Sequence, residues 1–236
     1  MVVISKKVLV KINGLASEMG KGILSANEAC ERLSSVLTMH SNVISKCTSI
    51  IVTKKDGIDA MCFPLSLFGR RIILFDWNLI YLLLYGDSID EILFLGTLGH
   101  EIAHTQIGIF LRKTRKYAAV CCADEVFCDF WGAKMFGINA TDMADAKKKL
   151  YSSSQGIESK DFTHPSRQKR IEYLQRFSTF SYELFCEIVK DENLIKKYWP
   201  FYEAFIVGNG KPRKDCVFIW LFIGLVLLFG ICVMLI

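Results

Sequence analysis

Apolar residues recur along this chain at changing periods, and the changes mark out its elements. Ser25, with Glu28 three residues on, forms a capping box that opens a helix running to about His40. "TSIIVTK", from Thr48, has the β-branched composition of a strand. After an Asp56-Gly57 turn, "IDAMCFPL" and "RRIILF" read as two further extended segments with a turn near Gly69 between them. "WNLIYLLLY", Trp77 to Tyr85, is apolar all round and too short to cross a bilayer, which predicts a buried helix. Ser88 and Glu91 make a second capping box, and the apolar run that follows should form one helix of about five turns. Another helix is expected over about Cys122 to Phe136, ending near Gly137. A third should start after His164, with Pro165 in its first turn, and continue through "SRQKRIEYLQRF". The stretch from there to about Val207 is aromatic-rich and reads as helical. The pattern contains no internal repeat.

The pattern changes once more at the C-terminus. "CVFIWLFIGLVLLFGICVMLI", Cys216 to Ile236, has no charge and no proline, and as a helix it would cover about 31 Å, the thickness of a bilayer's hydrocarbon core. Residues 216–236 are therefore expected to be a transmembrane tail anchor. The "GNGKPRKD" stretch before it carries Lys211, Arg213 and Lys214, and basic residues beside a span mark its cytoplasmic side. The N-terminal "MVVISKKVLVKINGL" has no apolar run of signal-peptide length. The expected organisation is a domain over residues 1–207 facing the cytoplasm, a basic juxtamembrane linker over 208–215, and a single C-terminal pass.

Composition narrows this only in part. The chain has 236 residues, room for one well-buried core, and the apolar tail helps raise the mean hydropathy to +0.31. Net charge is +5. The basic clusters Arg112–Lys116 and Lys147–Lys149 lack the interleaved aromatics of a nucleic-acid surface and read as solvated faces. Nine cysteines without framework spacing fit small buried residues in a reducing compartment. Cys121, Cys122 and Cys128 match no thiolate metal pattern.

The chemistry is concentrated in "TLGHEIAHTQ", which holds two of the chain's four histidines. On a helix, His100 and His104 project one turn apart from the same face and can bind one cation. Glu101 flanks them where its carboxylate can reach a water on that cation. This is the H-E-x-x-H arrangement, with glutamate as general base beside two zinc-binding imidazoles. Catalytic zinc takes three protein ligands and an open fourth position. A third histidine six residues past the second fails here, because Ile107 and Phe110 occupy the relevant positions. A glutamate from a following helix is available instead: Glu125, 21 residues after His104. Asp129, one turn further, can accept the second ring N–H of His100 and fix its tautomer. His40 is assigned no role.

With these residues in view, the chain resembles the gluzincin zinc metallopeptidases that include the type I CAAX prenyl protease and the HtpX-like heat-shock protease. The resemblance spans roughly residues 48–176. "GHEIAH" matches the zinc helix, "EVFCD" the E-x-x-A-D helix with Cys128 for Ala, and "THPSRQKRIEYL" the T-H-P element. "DAMCF" corresponds more loosely to the N-A-F-A strand, with Asp59 for Asn. The resemblance implies an α+β, mainly α, zincin-like metallopeptidase domain with a small sheet, here expected to carry the one C-terminal membrane helix. It implies one Zn2+ per chain on His100, His104 and Glu125, and Glu101 as general base. His164 is the implied oxyanion donor, and Arg170 the implied partner of a buried carboxylate. The substrate would be a peptide or protein, expected to be membrane-associated, added as a strand near "DAMCF" or "RRIILF". The alternative is a catalytically silent zinc scaffold or chaperone at a membrane surface, against which an intact Glu101 argues.

Overall fold

The computed structural model describes residues 2–44, 48–53, 60–63, 71–107, 117–153 and 163–208. Its sheet has four strands: β1 (Val2–Val3), β2 (Thr48–Thr53), β3 (Ala60–Phe63) and β4 (Arg71–Asp76). They lie in the order β1-β2-β4-β3, with β1 and β4 parallel to β2 and β3 antiparallel to β4. "RRIILF" thus contributes an interior strand and "DAMCF" an end strand. The two-residue alternation of strand side chains is plain in the burial: Ile50, Val52, Ile73 and Phe75 are buried, whereas Ile51 and Met61 are exposed.

Three helices complete the sheet-side core: α1 (Lys6–Glu18), α2 (Ala26–Met39) and α3 (Trp77–Tyr85). In α1, Val8, Ile12 and Ala16 recur every four residues as one buried stripe, and Ser5 caps the first turn. The capping box at α2 is present, with the Glu28 carboxylate accepting from Ser25 N and Ser25 Oγ accepting from Glu28 N. In α3, Leu79, Ile80, Tyr81 and Leu84 are buried.

The remaining helices are α4 (Ser88–Ile107), α5 (Ala118–Met135), α6 (Ala140–Ser153), α7 (Arg167–Arg176), α8 (Tyr182–Val189) and α9 (Glu192–Val207). α4 divides its side chains between two cores. Leu93, Phe94, Leu98 and Ile102 pack with the sheet side, while Ala103 and Ile107 join α5 to α9.

Several helix ends differ from expectation for local reasons. At α4 the box is made one residue earlier, by Asp87, which accepts from Ile89 and Asp90 N–H, and by Asp90, which accepts from Asp87 N–H. A carboxylate caps at least as well as a serine, and it also answers the positive end of the helix. At α7 the cap is Ser166, whose hydroxyl accepts from Lys169 N, so Pro165 precedes the helix instead of entering it. α5 ends as expected at Gly137. That residue has φ +70°, and the N–H groups of Gly137 and Ile138 donate to Lys134 O and Ala133 O, which is a Schellman closure. His40 is the C-cap of α2 and meets Phe136 edge-on.

The expected C-terminal anchor is not supported. No helix among the described residues is long and apolar enough to cross a membrane. The two that reach 18 residues are α4 and α5, and both carry ionisable groups: Asp90, Glu91 and Glu101 in one, Asp124, Glu125 and Asp129 in the other. Residues 216–236, on which that expectation rested, lie outside the described residues, as do Asp59 and Arg112–Lys116. The fold is mainly helical with a small sheet, and neither the single pass nor the cytoplasm-facing localisation is carried by it.

Candidate metal centre

The site exists because α4 and α5 touch at two glycines. A Cβ on Gly99 would stand 2.4 Å from Gly132 O, and one on Gly132 would stand 2.4 Å from His100 N. Only backbone fits at that crossing. From there the chains run in opposite senses, bringing Glu125 and Asp129 of α5 opposite His104 and His100 of α4.

His100 Nε2 and His104 Nε2 are 3.0 Å apart, and Glu125 Oε2 lies 3.2 Å from the first and 3.6 Å from the second. Zinc holds imidazole nitrogen and carboxylate oxygen at about 2.0–2.2 Å, so the edges of a tetrahedral donor set measure about 3.3 Å. The observed triangle fits that figure. These three residues form a group able to hold a metal ion, with two of the three buried. No thiolate enters the group. Cys128 is fully buried, and its thiol is pushed well above its usual range by burial and then by the surrounding carboxylates.

Asp129 sets the orientation of His100. Its Oδ1 lies 2.9 Å from His100 Nδ1 and 2.6 Å from Arg170 Nη2, and its Oδ2 takes Arg170 Nε at 2.7 Å. Lys147 Nζ of α6 adds a further contact to Oδ1 at 3.1 Å. Burial alone would favour the neutral acid. Arg170, Lys147 and the His100 hydrogen bond outweigh it and hold Asp129 well below the usual carboxylate range. An ionised carboxylate only accepts, so Nδ1 of His100 carries a proton, which leaves Nε2 as the nitrogen that could turn a lone pair to a metal once it gives up its own proton. Without a metal, His100 is raised to about 9: burial works against the imidazolium, but Asp129 and Glu125 prevail.

Glu125 follows the same logic. Burial favours its neutral form, yet hydrogen bonds from His100, His104 and His164 hold it well below the ordinary value. His164 Nε2 is 3.1 Å from Glu125 Oε1, and its Nδ1 meets Thr163 Oγ1 at 3.0 Å. As it stands, His164 is engaged with the Glu125 carboxylate, so the expected oxyanion role would require a change of partner. Among the described residues, the neighbour of the outer nitrogen of His104 is a soft one, Cys128 Sγ at 3.4 Å.

Glu101 is 8% exposed beside the triangle. Burial raises its pKa, while His100 and His104 act in the other direction. The backbone N–H of Cys62 donates to it, which puts the end strand β3 directly over the site.

The clearest residue that sequence reasoning missed is Lys147. In the run Lys147–Lys149, read as a solvated face, the three side chains part ways. Lys148 is exposed, Lys149 bridges Asp87 and Asp90 at 2.9 Å each, and Lys147 is 6% exposed and turned onto Asp129. The signal that pointed inward is the i, i+3, i+4, i+7 spacing of Ala140, Met143, Ala144 and Lys147 on one face of α6.

Compared with family models, with curated proteins and with solved structures, the chain has no match.

Proposed function

We propose that this protein is a zinc-dependent endopeptidase. The observation that carries the reading is the buried donor triangle of His100, His104 and Glu125, with edges of 3.0–3.6 Å and a glutamate directly beside it. A divalent ion held there would polarise a scissile carbonyl and lower the pKa of a bound water. Glu101 is the proton acceptor for that water and returns the proton to the departing amine. Burial moves its pKa upward from the ordinary carboxylate value, the direction that suits a group that must both take and give a proton. Asp129 and Arg170 hold His100 in the metal-facing tautomer, and His164 steadies Glu125. β3, at the end of the sheet and bonded to Glu101 through Cys62, is the element against which an extended peptide would align as an added strand.

The test is Glu101→Gln in the full chain. Cleavage of an unfolded protein substrate should fall by about 10²–10⁴-fold, the range for loss of a general base, with zinc content by atomic absorption unchanged. Zinc uptake by a wild-type protein that cleaves nothing would leave the silent scaffold standing. No zinc uptake would remove both.

A further inference from the structure

Asp129 receives more cationic charge than orienting one histidine needs. Its Oδ1 alone meets His100 Nδ1, Arg170 Nη2 and Lys147 Nζ, within 2.6–3.1 Å, and Arg170 already satisfies Oδ2. Lys147 reaches it from a third helix, α6, with its side chain 7% exposed. A buried ammonium is expensive unless it is paired, and here it is paired to the one carboxylate behind a metal-facing imidazole.

The charges have a consequence for any cation in the triangle. Glu101, Glu125 and Asp129 supply three negative groups, and Arg170 and Lys147 two positive ones. Lys147 also competes with the His100 N–H for the same oxygen. A carboxylate shared in this way pulls less on the imidazole proton, which leaves Nε2 a weaker donor. Direct repulsion between the ammonium and a divalent ion has the same sign.

We propose that Lys147 is a positioning residue that tunes the centre: by sharing Asp129 Oδ1 with His100 it sets metal affinity below what the carboxylate alone would give. The inference rests on the zinc reading above and deepens it. A residue that merely braced α6 against the site would have the opposite effect on removal, because a loosened Asp129 would hold His100 less well.

The experiment compares zinc dissociation constants of full-length wild type, Lys147→Met, Lys147→Arg and Lys148→Met by competition with a fluorescent chelator. Thermal melts of the metal-free proteins check that each is folded. Lys147→Met should bind zinc about tenfold more tightly, the scale on which outer partners of ligands act. Lys147→Arg, which keeps the charge, and Lys148→Met, which removes an exposed one, should stay near wild type. Zinc binding by Lys147→Met equal to or weaker than that of a zinc-binding wild type overturns the tuning role and leaves the metal centre intact. Failure of the wild type to bind zinc overturns the inference together with the reading beneath it. If methionine is not tolerated, Lys147→Gln, uncharged but still a donor, gives the same comparison with the same expected direction.

Discussion

At Asp129, N–H donors from three helices converge on one carboxylate that is 1% exposed: His100 of α4, Lys147 of α6 and Arg170 of α7. Asp129→Asn keeps the shape and removes the charge. It leaves a buried arginine and lysine without their counter-ion, a change that costs about 3–5 kcal/mol when a buried pair loses one partner. It also allows the amide to present N–H where His100 needs an acceptor, so zinc affinity should fall by about 10–100-fold. Denaturant unfolding and chelator competition measure the two effects, and a stable variant with wild-type zinc affinity would contradict them. Cys128 makes the contrast. Its sulfur, 3.4 Å from His104 Nδ1, is a weak hydrogen-bond acceptor. Cys128→Ala should therefore change zinc affinity by less than about 1 kcal/mol, below the range of a strong hydrogen bond to charge.

Between elements, the approach of α4 to α5 is fixed at Gly99 and Gly132, where an added Cβ meets backbone and not the movable end of a side chain. Gly132→Ala must push the helices apart and carry Glu125 away from the histidines. Overpacking of this kind typically costs about 1–3 kcal/mol, and zinc binding should be lost out of proportion to that destabilisation. The far side of α5 is tied down differently: the Tyr202 hydroxyl of α9 donates to Asp124. Burial, then the nearby Asp124 charge, pushes the Tyr202 phenol well above its usual range. A phenol whose folded pKa is raised keeps its proton after the unfolded chain has lost it, so its stabilisation is complete below about pH 10 and declines above it. Tyr202→Phe should remove that extra loss of stability above about pH 10 and cost about 1–3 kcal/mol at neutral pH. Which of these elements the sequence disclosed follows from how local their causes are. The Ser25 box and the Gly137 stop depend on residues five or fewer apart, and they read correctly. The start of α4 was misread because two adjacent pairs, Asp87/Asp90 and Ser88/Glu91, had the same spacing, and the carboxylate pair took the cap. α1 and α6 were not read at all. The first buries a stripe only one residue wide, and the second buries alanines, Met143 and a lysine, so neither shows a broad apolar face. The donor residues His100, His104 and Glu125 were legible from spacing and charge. The Lys147 contact was not, since a lysine turns inward only when a carboxylate 18 residues earlier in sequence is waiting.

Over the whole molecule, the candidate centre sits where the two cores meet. α4 sends Leu93, Leu98 and Ile102 into the sheet-side core and Ala103 and Ile107 into the helical one. Its N-terminal cap is clamped to α6 by Lys149, and its histidine-bearing end is linked to α5, α6 and α7 through Glu125, Lys147 and Arg170. An ion in the donor triangle would therefore cross-link α4 to α5 at the junction and relieve the crowding of buried carboxylates and imidazoles there. Because an unfolded chain lacks this triangle, binding energy becomes folding energy. Zinc at 100 times its dissociation constant should contribute about 2.7 kcal/mol. For a chain of this size each kcal/mol moves the midpoint by about 2–4 °C, so loading should raise the Tm by roughly 5–10 °C and a chelator should reverse it. Magnesium, which prefers oxygen donors, should leave the midpoint of the two-nitrogen site where it was. Scanning calorimetry on metal-free, zinc-loaded and magnesium-treated protein reads all three, and the zinc shift should vanish in a His100→Ala, His104→Ala double variant that still unfolds cooperatively. A zinc shift that persists in that variant would put the stabilising ion somewhere other than between these two helices.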